Sequence, residues 1–147
     1  MLDQINEIIQ ENDICVLATA GADGPHTSLM AYACSADRLN IYLATPQNTL
    51  KYRNVCVQPR VSIMVDTRDK EPRGKMRALT INGCATQIHD IEEAGAVRTM
   101  LLDRHPHLQR LLAQPDIAFI RIAIAAVQML DGPLEAYRIQ FPPDTQR

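Results

Sequence analysis

Residues 41–65 read IYLATPQNTLKYRNVCVQPRVSIMV, and this stretch decides the predicted fold. Its apolar ends predict two strands, and the residues between them predict a turn at 45–48 followed by a short helix. Thr45, Thr49 and Lys51 fall around the turn, where a starting helix presents free backbone N–H groups. Hydroxyls, free N–H donors and an ammonium group together suit a phosphate.

The same residues also fit an ordinary helix start. Thr45 or Asn48 would then cap the helix, Pro46 would occupy its first turn, and Lys51 would be a solvated surface charge. Short clusters of hydroxyls and a lysine are common, so these residues alone favour the ordinary interpretation. The choice between the phosphate site and the ordinary helix start depends on the rest of the chain.

Length and composition indicate one domain. The chain has 147 residues, of which 46% are hydrophobic, and residues 1–147 are therefore predicted to form a single domain with its own core. The net charge is −2, so no general affinity for nucleic acid is expected. The first residues have no basic and apolar leader, and no run is long enough to span a membrane, so we expect a cytoplasmic protein without a membrane partner.

The cysteines lie far apart and form no Cys-x-x-Cys pair. Most have apolar neighbours, so small buried side chains in a reducing compartment explain them better than disulfides or zinc. They are Cys15, Cys34, Cys56 and Cys84.

The hydrophobic pattern predicts a mainly β fold with three or four short helices. Gly83 lies in the middle of a long predicted strand and indicates a bulge that lets a sheet curl into a barrel. A helix with one apolar face is expected over residues 3–12, and Asp90 with Glu93 resembles a capping box for another. The predicted strands span residues 14–20, 26–34, 39–44, 61–65, 77–90, 117–129 and 134–141.

Two further groups of residues have both an ordinary and a functional interpretation. Residues 66–77 read DTRDKEPRGKMR and are expected to be an exposed loop. The functional interpretation is that Arg73, Lys75 or Arg77 closes over an anionic ligand. His105 and His107 flank a proline without spaced acids or cysteines, so a helix entry is favoured over a metal site.

The order and spacing of three motifs resemble the FMN-binding split-barrel family, of which pyridoxamine 5′-phosphate oxidase is the best-known member. The motifs are Ala44-Thr45, Thr49-Leu50-Lys51 and Gln58-Pro59-Arg60-Val61-Ser62, and the resemblance runs from about Ile14 to Ile88. It implies a split β-barrel, a Greek-key-like antiparallel barrel of about six to seven strands. It also implies FMN as cofactor, a homodimer with the cofactor at the interface, and a small-molecule redox partner.

The resemblance implies three groups of cofactor contacts. Thr45, Thr49 and Lys51 match positions that contact the FMN phosphate and ribityl chain, in agreement with the phosphate interpretation above. The strand containing Thr27, Ser28 and Leu29 matches one whose backbone edges the flavin ring, and Arg77 opens another flavin-lining segment. The implied cofactor-binding residues are Thr27, Ser28, Leu29, Thr45, Thr49, Leu50, Lys51 and Arg77.

The chain departs from the oxidase itself at several positions. Ser28 and Ala33 stand where the oxidase has basic residues, Leu50 replaces an arginine, and Ala78 replaces a glutamine. Residues 139–143 lack the arginine and histidine with which the oxidase holds its substrate phosphate. We therefore expect a member of the family that is not a true pyridoxamine phosphate oxidase.

The favoured function is an FMN-dependent oxidoreductase of unknown substrate. His26 and Tyr32 are acid or base candidates only if they reach the ring, so no catalytic residue is assigned. The alternative is a non-catalytic carrier of heme, a deazaflavin or a flavin. Hydrolysis through Ser28 is a weaker hypothesis, since no Gly-x-Ser-x-Gly motif is present. Candidate axial ligands for heme are His26, His89, His105 and His107.

Overall fold

An antiparallel sheet of eight strands carries the fold in the computed structural model, which describes residues 1–141. Pro142 and Pro143, part of the segment compared with the oxidase C-terminus, lie outside the described residues. The strands are β1 (Ile14–Gly21), β2 (Gly24–Ala31), β3 (Ala33–Cys34), β4 (Asn40–Pro46), β5 (Arg60–Asp66), β6 (Arg77–Gln87), β7 (Ile117–Asp131) and β8 (Glu135–Gln140).

Four short helices accompany the sheet. They are α1 (Leu2–Glu11), α2 (Leu50–Val57), α3 (Ile91–Arg104) and α4 (Gln109–Leu112), with single 3-10 turns at Arg73–Lys75 and Pro106–Leu108. The predicted cap of α3 is confirmed, because an Asp90 carboxylate oxygen accepts a hydrogen bond from the Glu93 N–H at 2.9 Å. Within residues 1–141, no helix is long and apolar enough to span a membrane.

The strand order brings the two ends of the sheet together without pairing them. The order is β2-β1-β5-β6-β7-β4-β3, and β8 pairs with the second half of β7. Only Tyr32 separates β2, which pairs with β1, from β3, which pairs with β4. One segment of chain therefore joins both ends of the sheet, and the predicted mainly β split barrel is confirmed.

The bulge predicted at Gly83 lies between β6 and β7. The register shifts at Asn82/Gly83, and the extra residue, Ala125, belongs to the partner strand β7. A Cβ atom on Gly83 would lie 2.5 Å from the Ala123 carbonyl oxygen, closer than real Cβ atoms approach backbone. Glycine at this position therefore lets the two longest strands cross closely and bend together.

The barrel interior is filled by alternate residues of the strands and closed at one side by α1. Ile5, Ile8 and Ile9 of α1 are buried against it, whereas Leu2, which the helical pattern also placed on this face, is 46% exposed. The expectation of buried cysteines holds for Cys15 and is wrong for Cys56, which is exposed on α2.

Tyr32 connects the barrel closure to α1 and α3. Its hydroxyl donates to the Ile9 carbonyl oxygen at 2.6 Å, and its own carbonyl oxygen lies 2.9 Å from His105 Nε2. Because a carbonyl oxygen only accepts, Nε2 of His105 carries a proton. Burial raises the pKa of the Tyr32 phenol far above its ordinary value, so the hydroxyl stays a donor. The Tyr32 side chain is fully buried and its hydroxyl is bound to Ile9, so it does not reach a ligand on the outside of the barrel.

Replacing Tyr32 by Phe leaves the Ile9 carbonyl, in the last turn of α1, buried without this donor. We expect Tyr32→Phe to lower the free energy of unfolding by about 1–3 kcal/mol, measured by urea denaturation. Tyr42→Phe is the matched control, because the Tyr42 hydroxyl makes no hydrogen bond within residues 1–141, and it should change stability by less than about 0.5 kcal/mol. Equal effects of the two changes would contradict the role of Tyr32.

Candidate functional site

The start of α2 brings together the hydroxyls that the sequence singled out. Thr49 caps the helix, since its hydroxyl oxygen accepts a hydrogen bond from the Tyr52 N–H at 3.3 Å. The alternatives of Thr45 or Asn48 as the cap are wrong. Pro46 ends β4 and does not lie in the first turn of the helix.

The two threonine hydroxyls form a compact cluster with one carbonyl. Thr45 Oγ1 and Thr49 Oγ1 lie 2.9 Å apart, and each is within hydrogen-bond distance of the Pro46 carbonyl oxygen, at 3.1 and 3.0 Å. These three contacts share only two hydroxyl protons. The Pro46 carbonyl oxygen needs only one of these protons, so one hydroxyl can turn to an added acceptor, such as a phosphate oxygen, while the other continues to donate to Pro46.

Lys51 lies beside Thr45 at the same end of the barrel. Its ammonium group forms no ion pair or hydrogen bond within residues 1–141, so its charge is available to a ligand. Lys51, Thr45 and Val55 line a cavity of only about 10 Å³ that leads to the barrel interior. That volume is no more than one water needs, so this cavity cannot hold a ligand as large as a flavin. Leu50, the first residue of α2, is partly exposed there.

Two contacts fix α2 on the barrel. Asn54 is buried, and its Nδ2 donates to Thr19 Oγ1 of β1 at 3.1 Å. A Cβ atom on Gly21 would lie 2.1 Å from Asn54 Oδ1, so glycine makes this close approach possible. At the other side the Tyr52 hydroxyl donates to Gln87 Oε1 of β6 at 2.7 Å. The sequence analysis missed Asn54, because one polar residue within a short helix does not indicate a distant partner.

The candidate residues of β2 lie on both faces of the strand. Thr27 and Leu29 are exposed on the outer face, and Leu29 is 73% exposed. Ser28 points to the opposite face, where its hydroxyl lies 3.3 Å from His26 Nε2. Within residues 1–141, β2 pairs only with β1, so the backbone groups along its other edge are open to a ligand.

Arg77 lies apart from the other candidates within one chain. It starts β6, whereas α2 contacts Gln87 at the strand's end, ten residue steps of about 3.3 Å away. Its guanidinium is bound to Glu71, at 2.8 Å from Oε1 and 3.3 Å from Oε2. This contact lowers the pKa of the Glu71 carboxyl. The expected help of Arg77 to the phosphate held by Thr49 and Lys51 is therefore not available in the same chain.

The comparisons with known proteins agree with this architecture. Residues 1–131 match the model of the protein family described as pyridoxamine 5′-phosphate oxidase. No curated protein matches the sequence.

Several solved structures share the fold. The chain is similar to a heme binding protein from Mycobacterium smegmatis, with a TM-score of 0.78, 20% identity, and coverage of 90% of this chain and 55% of that chain. It spans about half the length of that protein. HutZ, the heme storage protein of Vibrio cholerae, matches with a TM-score of 0.73 and 22% identity over 88% of this chain and 93% of that chain.

A third similar structure is General Stress Protein 26 from Bacillus anthracis. Its TM-score is 0.71, with 21% identity over 93% of this chain and 97% of that chain. At these identities the likenesses describe the fold alone.

The contact between Gly21 and Asn54 predicts a specific pair of effects. Gly21→Ala should lower the free energy of unfolding by about 1–3 kcal/mol, because the new methyl group displaces the Asn54 amide from Thr19. Gly95→Ala is the control, since a Cβ there meets nothing within 4 Å in α3, and it should be neutral or stabilising by roughly 0.5–1 kcal/mol. Both are measured by urea denaturation.

A double-mutant cycle tests the cause of this effect. Once Asn54→Ala has removed the obstructing amide, Gly21→Ala should cost clearly less than it does in the wild-type protein. Additive costs would mean that the two side chains do not interfere.

Proposed function

The chain belongs to the pyridoxamine 5′-phosphate oxidase family, and we propose that it binds FMN at the start of α2 and oxidises or reduces a small molecule. The observation that carries this proposal is the cluster of Thr45, Thr49 and Lys51 at one end of the barrel. FMN, when bound, supplies the redox chemistry, and the protein supplies position and electrostatics.

The phosphate end of the site is assigned to Thr45, Thr49 and Lys51. One threonine hydroxyl can turn outward at a time, because the other is enough to donate to the Pro46 carbonyl oxygen. The Tyr52 N–H in the first turn of α2 is bound by the Thr49 hydroxyl oxygen, whereas the N–H groups of Leu50 and Lys51 have no acceptor within the helix and carry the positive end of its dipole. The Lys51 ammonium adds a full charge without having to leave an acidic partner.

The ring end of the site is assigned to β2. Its open edge offers backbone donors and acceptors to the polar rim of a flavin ring, and the exposed Leu29 offers an apolar surface. Thr27 lies on the same outer face as Leu29, while Ser28 is held near His26 on the other face. The lack of the oxidase's arginine and histidine motif in residues 139–143 supports a substrate other than pyridoxamine phosphate.

We further propose that the protein acts as a homodimer with FMN at the interface. Ile14 and Leu29, on the outer face of β1 and β2, are 42% and 73% exposed, and a second copy would remove this apolar surface from water. A flavin-lining role for Arg77 is compatible only with such an arrangement, since Arg77 is far from Lys51 in its own chain.

A heme carrier is the second candidate function. It is supported by the similar structures described as a heme binding protein and a heme storage protein. His105 is buried and donates to the Tyr32 carbonyl, so it is not free to bind iron. His26, His89 and His107 are the remaining candidates for an axial ligand.

The phosphate assignment is tested by comparing FMN with riboflavin, which has no phosphate. Lys51→Ala should weaken FMN binding roughly tenfold to a hundredfold and leave riboflavin nearly unchanged, because a charge-assisted contact is worth about 1.5–3 kcal/mol. Flavin fluorescence quenching measures both affinities. Lys75→Ala, which removes the same charge elsewhere, is the control.

Equal weakening of both ligands by Lys51→Ala would retire the assignment. Retention of heme, with its intense absorption band, by a protein that keeps no flavin after desalting would favour the second function instead.

The interface proposal predicts that cofactor and assembly are linked. Saturating FMN should raise the melting temperature and the dimer fraction together, as measured by thermal unfolding and sedimentation velocity. Lys51→Ala at the same FMN concentration should show a smaller rise in both, because its affinity for FMN is lower. A monomer that binds FMN tightly would contradict the interface site.

A further inference from the structure

His26 and Ser28 form a hydrogen-bonded pair on the inner face of β2. Side chains alternate between the two faces of a strand, so this face is opposite to the one that carries Thr27 and Leu29. His26 Nε2 lies 3.3 Å from Ser28 Oγ, and both residues are half-buried. The pair therefore belongs neither to the closed core nor to the exposed outer face of the sheet.

The register of β1 and β2 places His26 beside α2. His26 is opposite Thr19, and directly opposed residues of an antiparallel pair project from the same face. Thr19 is buried, and its hydroxyl oxygen accepts from the Asn54 amide of α2 at 3.1 Å. Lys51 precedes Asn54 by three residues and so lies on the same side of α2. His26 is thus next to the side of the helix that carries the proposed phosphate contact.

The same register places Ser28 near Lys51. Ser28 is opposite Leu17 and lies two residues before Met30, on the same face of β2. Leu17, Met30 and Lys51 all line the small cavity at this end of the barrel. Because the His26 imidazole is turned along the strand toward Ser28, it is also turned toward the start of α2.

The imidazole of His26 has a nitrogen to offer to a ligand. A neutral imidazole carries its proton on one nitrogen and accepts at the other. When the Ser28 hydroxyl donates to Nε2, the proton lies on Nδ1, which has no hydrogen-bond partner within residues 1–141. A protonated imidazole donates from both nitrogens and adds a positive charge. In both forms the Nδ1–H can donate to an anionic oxygen.

We propose that His26 is a further contact of the FMN phosphate, oriented by Ser28 and acting together with Lys51. This role rests on the proposed function, because it concerns the same site. A phosphate at the start of α2 would then meet donors from two elements, the helix and β2. His26 would favour FMN over riboflavin, since it contacts only the part of the cofactor that riboflavin lacks.

The affinity for FMN relative to riboflavin isolates the contribution of the phosphate, because both ligands carry the same ring. His26→Phe keeps a planar ring and removes both nitrogens. It should lower the preference for FMN about tenfold and change riboflavin binding less than about twofold, as measured by flavin fluorescence quenching. The matched control is His107→Phe, at an exposed histidine of the turn Pro106–Leu108, which should leave the preference unchanged.

A second variant restores a donor at the same position. His26→Lys should keep the preference for FMN at or above the wild-type value, because an ammonium group can also bind a phosphate oxygen. A preference as low as that of His26→Phe would contradict donation to the phosphate. Equal weakening of both ligands by His26→Phe would also overturn the inference, because His26 would then support the fold or the ring.

Lys51→Ala separates failure of this inference from failure of the proposed site. If the preference for FMN falls with Lys51→Ala but not with His26→Phe, only the role of His26 is wrong. If the wild-type protein does not prefer FMN, or Lys51→Ala leaves the preference unchanged, the phosphate site itself is wrong and the role of His26 falls with it.

Discussion

The capping of the end of α1 is the interaction on which the split barrel depends most. A helix leaves its last carbonyl groups without partners, and they carry the negative end of its dipole. Here the donors come from three distant segments: the Tyr32 hydroxyl between β2 and β3, the Lys70 ammonium from the loop after β5, and the Arg104 guanidinium at the end of α3. The accepting carbonyls are those of Ile9, Gln10, Glu11 and Asn12.

Through these contacts α1 links the two edges of the sheet. Tyr32 stands where the chain leaves the pairing with β1 and joins the pairing with β4, so its backbone direction decides whether the barrel closes. Its carbonyl accepts from His105, which follows α3, and its hydroxyl holds α1. The position of β2, and with it the ring side of the proposed site, follows from the same residue.

Local signals in the sequence were enough for much of the fold. Gly83 and Asp90 act through their immediate backbone, one by lacking a side chain at a close crossing and the other by capping the helix that follows. Tyr32 looked like part of a continuous strand, because neither the bend nor its partners in α1 and α3 are encoded nearby. Asn54 was missed for a similar reason, since its partner Thr19 is 35 residues away.

The proximity of the residues at the start of α2 could be predicted because they are close in sequence. Thr45, Thr49 and Lys51 lie within seven residues, so a strand, a turn and a helix bring them together without help from the rest of the fold. Arg77 was grouped with them by the resemblance to the family. Its distance from Lys51 depends on the length and direction of β6, and a short motif carries no information on either.

The basic residues of this protein differ in whether their charged group is already bound to an acceptor. In the loop from residue 66 to residue 77, Arg68 and Arg77 are bound to carboxylates and Lys70 to the end of α1. A ligand that recruited any of these three would have to break an existing contact, and the lost bond would offset much of the new one. The side chains of Lys51, Arg73 and Lys75 have no such bond within residues 1–141. A ligand that approached one of these three would meet a positive charge without first breaking an ion pair.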